Sequence, residues 1–247
     1  MLNWPVVVCC GQFDLRLENT GREPALISVG PMFNPREKLI PLIRGVGVEV
    51  GPGTNPQILP SRDVEVRYVE TMSAEEWAKI YAKQRPNDVT TSLWDNYVVA
   101  SANELEIFDD GSLDFVFSNH VFEHLVNPIG VLGNWNRKLR AQGIVAGAIP
   151  DARFTFDLRQ PLSTLEECIE EAKRGSFHFE RSHYARWCKY TAPYNTPEDL
   201  IARRYAIHAK YYSPDTFLDL LRYCTGWSNV AVQSTQNGKD FSFLLVK

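Results

Sequence analysis

The sequence predicts an α/β fold, with a mostly parallel central sheet, helices on both faces and a C-terminal antiparallel hairpin. From Gly45 onward, apolar runs of strand length alternate with helical stretches, which is the pattern of parallel strands joined by crossover helices. A strand containing Glu49 leads directly into a glycine turn. Near the end of the chain, two apolar runs flank Asn237 and Gly238, which is a hairpin signal.

Local patterns give the individual elements. Parallel strands are predicted at 45–50, 64–69, 97–100, 114–118 and 144–149, and the closing pair at 229–234 and 241–246. A helix is predicted over 128–140, where apolar residues are spaced three and four apart. Four other helix starts share an N-cap Ser or Thr followed by Pro or, three residues on, by Glu: Ser73, Ser163, Thr196 and Ser213.

These elements divide the chain into four parts. Residues 1–44 form an N-terminal extension, and 45–150 form the core. The alternation stops beyond Pro150, and the stretch before the next strand is much longer than a usual connection. Because it contains helix starts, 151–212 is predicted to be a helical cap inserted over the core. Residues 213–247 then complete the core with a helix and the hairpin.

Composition excludes several classes of protein. The chain has 247 residues, 44% of them hydrophobic, and a formal net charge of -4, which gives no general attraction to nucleic acid or to anionic membranes. Its five cysteines are odd in number and lack a Cys-x-x-Cys spacing. We therefore expect reduced thiols in a cytoplasmic protein with no integral membrane segment. No cluster of metal-ligand residues stands out, so no metal is predicted.

The glycine turn carries the first functional signal. Gly51 and Gly53 allow the backbone to turn tightly and approach a ligand, as the first two glycines of a dinucleotide fingerprint do. The third glycine is missing, and the Glu49 carboxylate at the mouth of the turn would repel a pyrophosphate. It favours a cationic ligand such as S-adenosylmethionine. Glu70 lies 19 positions after Gly51 (70 − 51), the spacing of an acidic residue that binds ribose hydroxyls.

A second motif follows the fourth predicted strand. Asp114 opens an apolar run that ends in Ser118, Asn119 and His120, with Glu123 and His124 close behind. Together with the glycine turn and the acidic residue after the second strand, this pattern resembles class I S-adenosylmethionine-dependent methyltransferases of the methyltransferase type 11 kind, over about 45–150. A narrower resemblance through 149–161, 181–184 and 206–208 is to a subgroup encoded among bacterial cell-surface polysaccharide genes.

This resemblance implies S-adenosylmethionine as cofactor and S-adenosylhomocysteine as product. Where many relatives carry an acidic residue on the adenine side, this chain has Ala100, Ser101 and Ala102, and the Ser101 hydroxyl is a weaker acceptor. The implied cofactor-binding residues are Glu49, Gly51 and Gly53 for the methionine end, Glu70 for ribose, Ser101, Ala102 and Leu105 for adenine, Asn119 near the methyl group, and Asn55 without an assigned part of the cofactor.

Methyl transfer to a hydroxyl requires alignment of the acceptor oxygen and removal of its proton. A neutral imidazole suits the second task. We expect His120 to be the base, because it should emerge at a strand end beside the cofactor, with Asp151 as the second candidate. His124 is expected to pack or cap within the following helix.

The cap is expected to bind the acceptor. Arginines on a segment overhanging the site suit a phosphate, carboxylate or sugar diphosphate, although pairing with Asp157 or with a helix carbonyl is equally compatible with the pattern. The candidate acceptor-binding residues are Arg153, Arg159, His183, Tyr184 and His208, with sugar stacking on Trp187 or Tyr184.

The leading function is O-methylation of a sugar hydroxyl in a glycan or nucleotide-sugar intermediate, in association with polysaccharide-assembly enzymes. Methylation of a natural-product phenol, a non-catalytic cofactor-binding scaffold and a nicotinamide-dependent reductase remain as alternatives.

Overall fold

A computed structural model describes residues 39–82, 91–235 and 238–247 of the chain. The strands in this part are β1 (Gly45–Val50), β2 (Val64–Glu70), β3 (Tyr97–Val99), β4 (Leu113–Asn119), β5 (Leu139–Pro150), β6 (Asn229–Ser234) and β7 (Asp240–Val246). They form one seven-stranded sheet in the order β3-β2-β1-β4-β5-β7-β6. β1 to β5 pair in parallel, and β7 runs antiparallel to both β5 and β6. The predicted Rossmann-like class I methyltransferase fold is confirmed.

The strand order decides where a ligand can bind. The chain leaves β1 toward β2 and β3 on one side and returns to β4 on the other side of β1. Ligands of open α/β sheets bind beyond the carboxyl ends of the strands at such a reversal. The ends of β1, β2, β4 and β5 bring the predicted Gly51, Glu70, Asn119 and Asp151 to this one edge.

The sequence predictions for the strands are confirmed with small shifts at the ends. β6 has the predicted bounds, whereas β5 begins at Leu139 instead of residue 144. Residues 1–38 of the predicted N-terminal extension, and residues 236–237 of the predicted hairpin turn, lie outside the described residues.

The helices are α1 (Ala74–Ala82), α2 (Pro128–Lys138), α3 (Leu165–Arg174), α4 (Arg181–Tyr190), α5 (Pro197–Ala202) and α6 (Pro214–Tyr223). Three predicted N-caps, Ser73, Thr196 and Ser213, each accept a bond from a backbone N–H in the first turn. The prediction for α3 was wrong by one residue. Thr164 caps it through a reciprocal bond with Glu167, while the Ser163 N–H donates to a distant carbonyl.

Two apolar clusters pack on opposite faces of the sheet, and a third lies within the cap. One packs α2, α3 and α6 against the sheet, and the other packs Leu39, Ile43 and Ile58 against it. The cap cluster comprises Ala152, Trp187, Cys188, Leu200, Ile207 and Tyr211. The two ends of the cap pair with each other through the bridge between Asp151 and Tyr212 and through the Ala152 N–H, which donates to the Tyr212 carbonyl at 2.9 Å. The Asp151 N–H donates to the Lys239 carbonyl at 2.8 Å and so joins the cap to the core. The cap is therefore a small packed unit standing on the carboxyl end of β5.

The described ranges bear on the predicted state of the cysteines and on the predicted lack of a membrane segment. Cys168, Cys188 and Cys224 are free thiols. In the same part of the chain, the helices fall short of the length and apolarity that a bilayer crossing requires.

Phe217 joins α6 to the hairpin. Its fully buried ring lies 5.1–5.5 Å, centroid to centroid, from the rings of Phe122, Tyr212, Phe241 and Phe243. We expect Phe217→Ala to lower the free energy of unfolding by about 3–5 kcal/mol in urea titrations, because the cavity cannot fully collapse. The matched control Tyr223→Ala, on the same helix but 48% exposed, should change it by less than about 0.5 kcal/mol. Equal losses for both variants would contradict this account of the core.

Candidate active site

The glycine turn after β1 has two glycines with different surroundings. Both adopt positive φ, +62° at Gly51 and +58° at Gly53. A Cβ on Gly51 would lie 2.5 Å from the Cγ2 atom of Val121, so this position is closed by packing. A Cβ on Gly53 would meet no atom within 4 Å among the described residues. The open side of the turn is therefore at Gly53, where a ligand can approach the backbone.

Glu70, at the end of β2, contacts this open side. Its Oε1 accepts a hydrogen bond of 2.6 Å from the Gly53 N–H. The side chain is only 5% exposed, and burial raises its pKa, although hydrogen bonds from Gly53 and Trp77 oppose that shift. A carboxylate held here presents acceptor oxygens beside the turn, as the ribose role predicted from the spacing requires.

Glu49 is arranged differently from the prediction. Its carboxylate accepts bonds of 2.9–3.0 Å from the backbone N–H groups of Gln57 and Ile58, and the residue is 1% exposed. Burial raises its pKa to about 7, despite these bonds. The side chain thus fixes the far end of the turn, and its predicted contact with the methionine end of the cofactor stays a prediction. Asn55 lies exposed on the same segment, and its N–H donates to the Pro52 carbonyl.

An acid that the sequence analysis missed lies beside the segment predicted to bind adenine. The Ser101 N–H lies 3.2 Å from both carboxylate oxygens of the exposed Glu106, and the Ser101 hydroxyl accepts from the Asn103 N–H. The Ala102 carbonyl accepts from the Trp135 indole. Leu105 is fully buried in the main core, so only its backbone, at φ +50°, can face a cofactor. Glu106 follows the predicted segment by one residue.

His120 emerges at the end of β4, as predicted. Its φ of +56° is uncommon outside glycine, and such backbone strain clusters at functional sites. Its side chain is 35% exposed, with Nδ1 3.7 Å from Glu123 Oε1 and Nε2 3.5 Å from Asp240 Oδ1. The preceding Asn119 has a buried Oδ1 with no hydrogen-bond partner in the described chain. The site thus combines a solvent-accessible imidazole, two flanking carboxylates and an unsatisfied amide oxygen.

Asp151 and Arg153 pair with each other. Both oxygens of the Asp151 carboxylate accept from the Arg153 guanidinium, at 2.9 and 2.7 Å, and Asp151 is 2% exposed. Action of Asp151 as a base would have to break this pair, so the geometry favours His120. The geometry also favours an ion pair for Arg153 over the binding of an anionic acceptor. The partner in this pair is Asp151 instead of the expected Asp157 or helix carbonyl. Arg159 is exposed on the cap surface.

Two other predicted acceptor residues lie inside the cap. His183 Nδ1 accepts from the Glu180 N–H at 2.9 Å, and its Nε2 lies 3.3 Å from Glu171 Oε1. Tyr184 packs against the cap cluster, with its ring 5.8 Å from that of Phe179. Both side chains therefore have structural partners within the cap, and contact with an acceptor stays a prediction.

His208 belongs to a second group of titratable residues next to His120. Its Nδ1 lies 2.6 Å from Asp157 Oδ2, and its ring centroid is 4.7 Å from that of His124. Burial raises the pKa of Glu123 to about 7. The pKa of His124 is lowered to about 4, mainly by burial and to a smaller extent by the charge of His208. His124 packs as predicted. Glu123 and Asp157 were missed, because His208 and Asp157 are 51 positions apart and only the fold brings them together.

The cap also contains a cavity of about 430 Å³, open to solvent, beside His208. Its wall includes the aromatic rings of Phe156, Trp187 and Tyr205, together with Arg203 and His208. The rings of Phe156 and Trp187 lie 5.1 and 5.4 Å from the His208 ring. The cavity therefore borders His208 and, through it, the group of titratable residues next to His120. The arginine in its wall is Arg203, whereas the sequence analysis had named Arg153 and Arg159.

Residues 48–147 match the sequence model of a family described as a methyltransferase domain. The matched segment includes the glycine turn, Glu70, Asn119 and His120. The class of enzyme predicted from the sequence, a methyltransferase dependent on S-adenosylmethionine, is thereby confirmed. A comparison with curated proteins gives no match.

Solved structures with similar folds include three described as S-adenosylmethionine-dependent methyltransferases. The one from Thermotoga maritima, described as a possible histamine N-methyltransferase, is 19% identical, with 86% of each chain covered and a TM-score of 0.48. The one from Aquifex aeolicus is 15% identical, covering 87% of this chain and 90% of that one, with a TM-score of 0.48. The one from Archaeoglobus fulgidus is 15% identical, covering 86% and 91%, with a TM-score of 0.49. Similarities of this size identify neither a substrate nor a catalytic residue here.

The two glycines of the turn should respond differently to substitution. Gly51→Ala carries the cost of a positive φ, about 1–2 kcal/mol, plus the clash with Val121. Gly53→Ala carries only the cost of φ. We expect a larger loss of unfolding free energy for Gly51→Ala in urea titrations, and partial recovery in the double variant Gly51→Ala/Val121→Ala. Equal losses, or no recovery, would show that Val121 does not close this position.

The raised pKa of Glu49 predicts a pH-dependent stability. A carboxyl whose folded pKa is above its unfolded value contributes stability at low pH that is lost as pH rises through the folded pKa. With a folded pKa of about 7 and an ordinary value of 4.5 in the unfolded chain, the free energy of unfolding of the wild type relative to Glu49→Gln should fall as the pH rises. The expected fall is roughly 3 kcal/mol between about pH 4 and about pH 8. Urea titrations across this range test it, and a difference that is flat with pH would contradict the shift.

Proposed function

We propose that this chain, whose residues 48–147 form a methyltransferase domain, transfers the methyl group of S-adenosylmethionine to a sugar hydroxyl of a glycan or nucleotide-sugar intermediate. The observation that carries the choice of acceptor is the cap cavity of about 430 Å³, which combines aromatic walls with Arg203. It borders His208, whose neighbour Glu123 contacts His120.

The cofactor fits the residues at the carboxyl edge of the sheet. The space beside Gly53 accommodates a ligand close to the backbone, and the Glu70 carboxylate supplies acceptors for ribose hydroxyls. The unsatisfied Oδ1 of Asn119 offers an acceptor at the end of β4. When bound, the cofactor supplies a methyl carbon activated by a sulfonium group, so the protein must position the acceptor oxygen and accept its proton.

His120 is proposed to accept that proton. Its imidazole is accessible, and the carboxylates of Glu123 and Asp240 lie 3.7 and 3.5 Å from its two ring nitrogens. The negative charge of Asp240 at this distance stabilises the imidazolium that forms when the hydroxyl is deprotonated. Glu123, whose pKa burial raises to about 7, adds to this stabilisation only in its ionised form. The same two carboxylates hold the ring in one orientation at the strand end.

The cavity suits a sugar with an anionic substituent. Flat aromatic rings such as those of Phe156 and Trp187 offer apolar surfaces on which a sugar ring can stack, and the Arg203 guanidinium can pair with a phosphate. A phenol would use the aromatic walls but would gain nothing from the exposed Arg203 guanidinium. This difference favours a phosphorylated sugar over a phenol.

We further propose that the enzyme acts in the cytoplasm, in surface polysaccharide biosynthesis, and associates with polysaccharide-assembly enzymes. The pathway and the association derive from the subgroup resemblance, and the cytoplasmic location derives from the cysteine pattern. The net charge of -4 agrees with an acceptor other than nucleic acid.

An acceptor screen tests the substrate class. The protein is incubated with S-adenosylmethionine and a panel of nucleotide sugars, lipid-linked glycans and phenols, and products are detected by mass spectrometry. We expect a mass gain of one methyl group on a sugar acceptor, and an Arg203→Gln variant with a raised KM but a similar kcat. Methylation of phenols alone would contradict the sugar assignment and favour the natural-product alternative.

The role of His120 leads to a kinetic prediction. We expect His120→Ala to lower kcat by about a hundredfold or more, because the proton acceptor is lost, while S-adenosylhomocysteine binds nearly as before. The control His178→Ala, at an exposed histidine of the cap, should keep wild-type turnover. Unchanged turnover in His120→Ala would contradict the assignment and transfer the role to Asp151.

A further inference from the structure

Beyond the proposed function, the structure contains three side chains arranged as ligands of a single cation. Glu123, His124 and His208 each offer one ligand atom, and these atoms lie within 4.8 Å of one another. We propose that they bind a divalent transition metal of the Zn²⁺ type, through two imidazoles and one carboxylate. This site is independent of the cofactor pocket at Gly53 and Glu70.

The hydrogen bonds of the two histidines leave the same nitrogen free in each ring. His124 Nδ1 lies 2.8 Å from the Ile207 carbonyl, which can only accept, so this nitrogen carries the proton. His208 Nδ1 lies 2.6 Å from a carboxylate oxygen of Asp157, which places the proton there in the same way. Both rings therefore keep an unprotonated Nε2 lone pair, the form in which histidine coordinates a metal.

Asp157 and Ile207 supply the outer contacts that metal sites use. A metal-bound histidine almost always donates its second ring N–H to a carboxylate or a backbone carbonyl, which fixes the ring and increases its basicity. The partner of His208 is the Asp157 carboxylate, and the partner of His124 is the Ile207 backbone carbonyl.

The third ligand is a buried oxygen that lacks a partner. Glu123 is 2% exposed, and in the described chain its Oε2 makes no hydrogen bond. Leaving such an acceptor unpaired in the interior is costly, and a bound cation would satisfy it. Its other oxygen lies 3.7 Å from His120 Nδ1.

Hydrogen bonds within the protein already join the two segments that carry the ligands. The Glu123 carbonyl accepts from the N–H groups of Ala209 and Lys210, at 2.8 and 3.0 Å, and the His124 ring is bonded to Ile207. Bonds of about 2.1 Å around a tetrahedral ion separate ligand atoms by roughly 3.4 Å, so only small side-chain rotations are needed.

The ligand set selects the type of ion. Two imidazoles and one carboxylate suit Zn²⁺ with a fourth position left for water or a substrate oxygen, whereas Mg²⁺ and Ca²⁺ prefer oxygen ligands alone. Because His208 also lines the cap cavity, the ion would lie at the wall of that cavity.

Direct metal binding tests the site without any methyltransferase assay. The full chain is stripped with a chelator and titrated with Co²⁺, whose d–d absorption reports low-coordinate geometry, and Zn²⁺ is then added in competition. We expect one equivalent of Co²⁺ with intense visible bands, displaced by Zn²⁺. Failure of S-adenosylhomocysteine to bind would affect the proposed function and leave this result untouched.

Variants locate the ion. Glu123→Gln and His208→Ala should abolish the intense bands, and Asp157→Asn should weaken Co²⁺ binding by about 10–100-fold because it acts through His208. The control His178→Ala should bind like the wild type, and circular dichroism confirms that each variant is folded. The proposal is overturned if the wild type gives no intense bands, or if folded Glu123→Gln and His208→Ala bind Co²⁺ as the wild type does.

Discussion

Two buried carboxylates determine the shape of the loop on which the candidate cofactor site depends. Glu70, at the end of β2, bonds to the Gly53 N–H at 2.6 Å, and Glu49, within β1, bonds to the N–H groups of Gln57 and Ile58. The loop therefore satisfies its backbone donors with side chains from the strands beneath it. This arrangement holds the open side of the turn at Gly53 in place, and it gives Glu49 a structural task.

A second set of backbone bonds brings the cap to the same edge of the sheet. The turn after β4 carries His120, Glu123 and His124, and its Glu123 carbonyl accepts from Ala209 and Lys210 at the end of the cap. This contact places His208 next to His124 and places the aromatic cavity beside both. The proposed base, the proposed metal ligands and the acceptor cavity thus all depend on how one short turn is joined to the cap.

The sequence predicts the parts of this arrangement that depend on local pattern. Glu49, Gly51 and Gly53 are close in the chain, and Glu70 follows at a spacing set by one crossover, so the glycine turn and its acidic neighbour could be predicted. The pattern left open whether Arg153 pairs with Asp157, with a helix carbonyl or with a ligand, and only side-chain geometry shows that its partner is Asp151. The group of Glu123, Asp157 and His208 could not be predicted, because its members come from separate segments that only the cap brings together. Glu123 alone had a local signal, three positions after His120.

The central claim is that the edge of the sheet near Gly53 and Glu70 binds S-adenosylmethionine. Calorimetric titration with S-adenosylhomocysteine tests it most directly, using the wild type, Glu70→Gln and the control Glu65→Gln, an exposed acid on the same strand. The account predicts binding to the wild type and to Glu65→Gln, clearly weaker binding to Glu70→Gln, and no binding of NAD or NADP. Binding of a nicotinamide dinucleotide but not of S-adenosylhomocysteine would contradict it, and so would equal affinities for all three proteins.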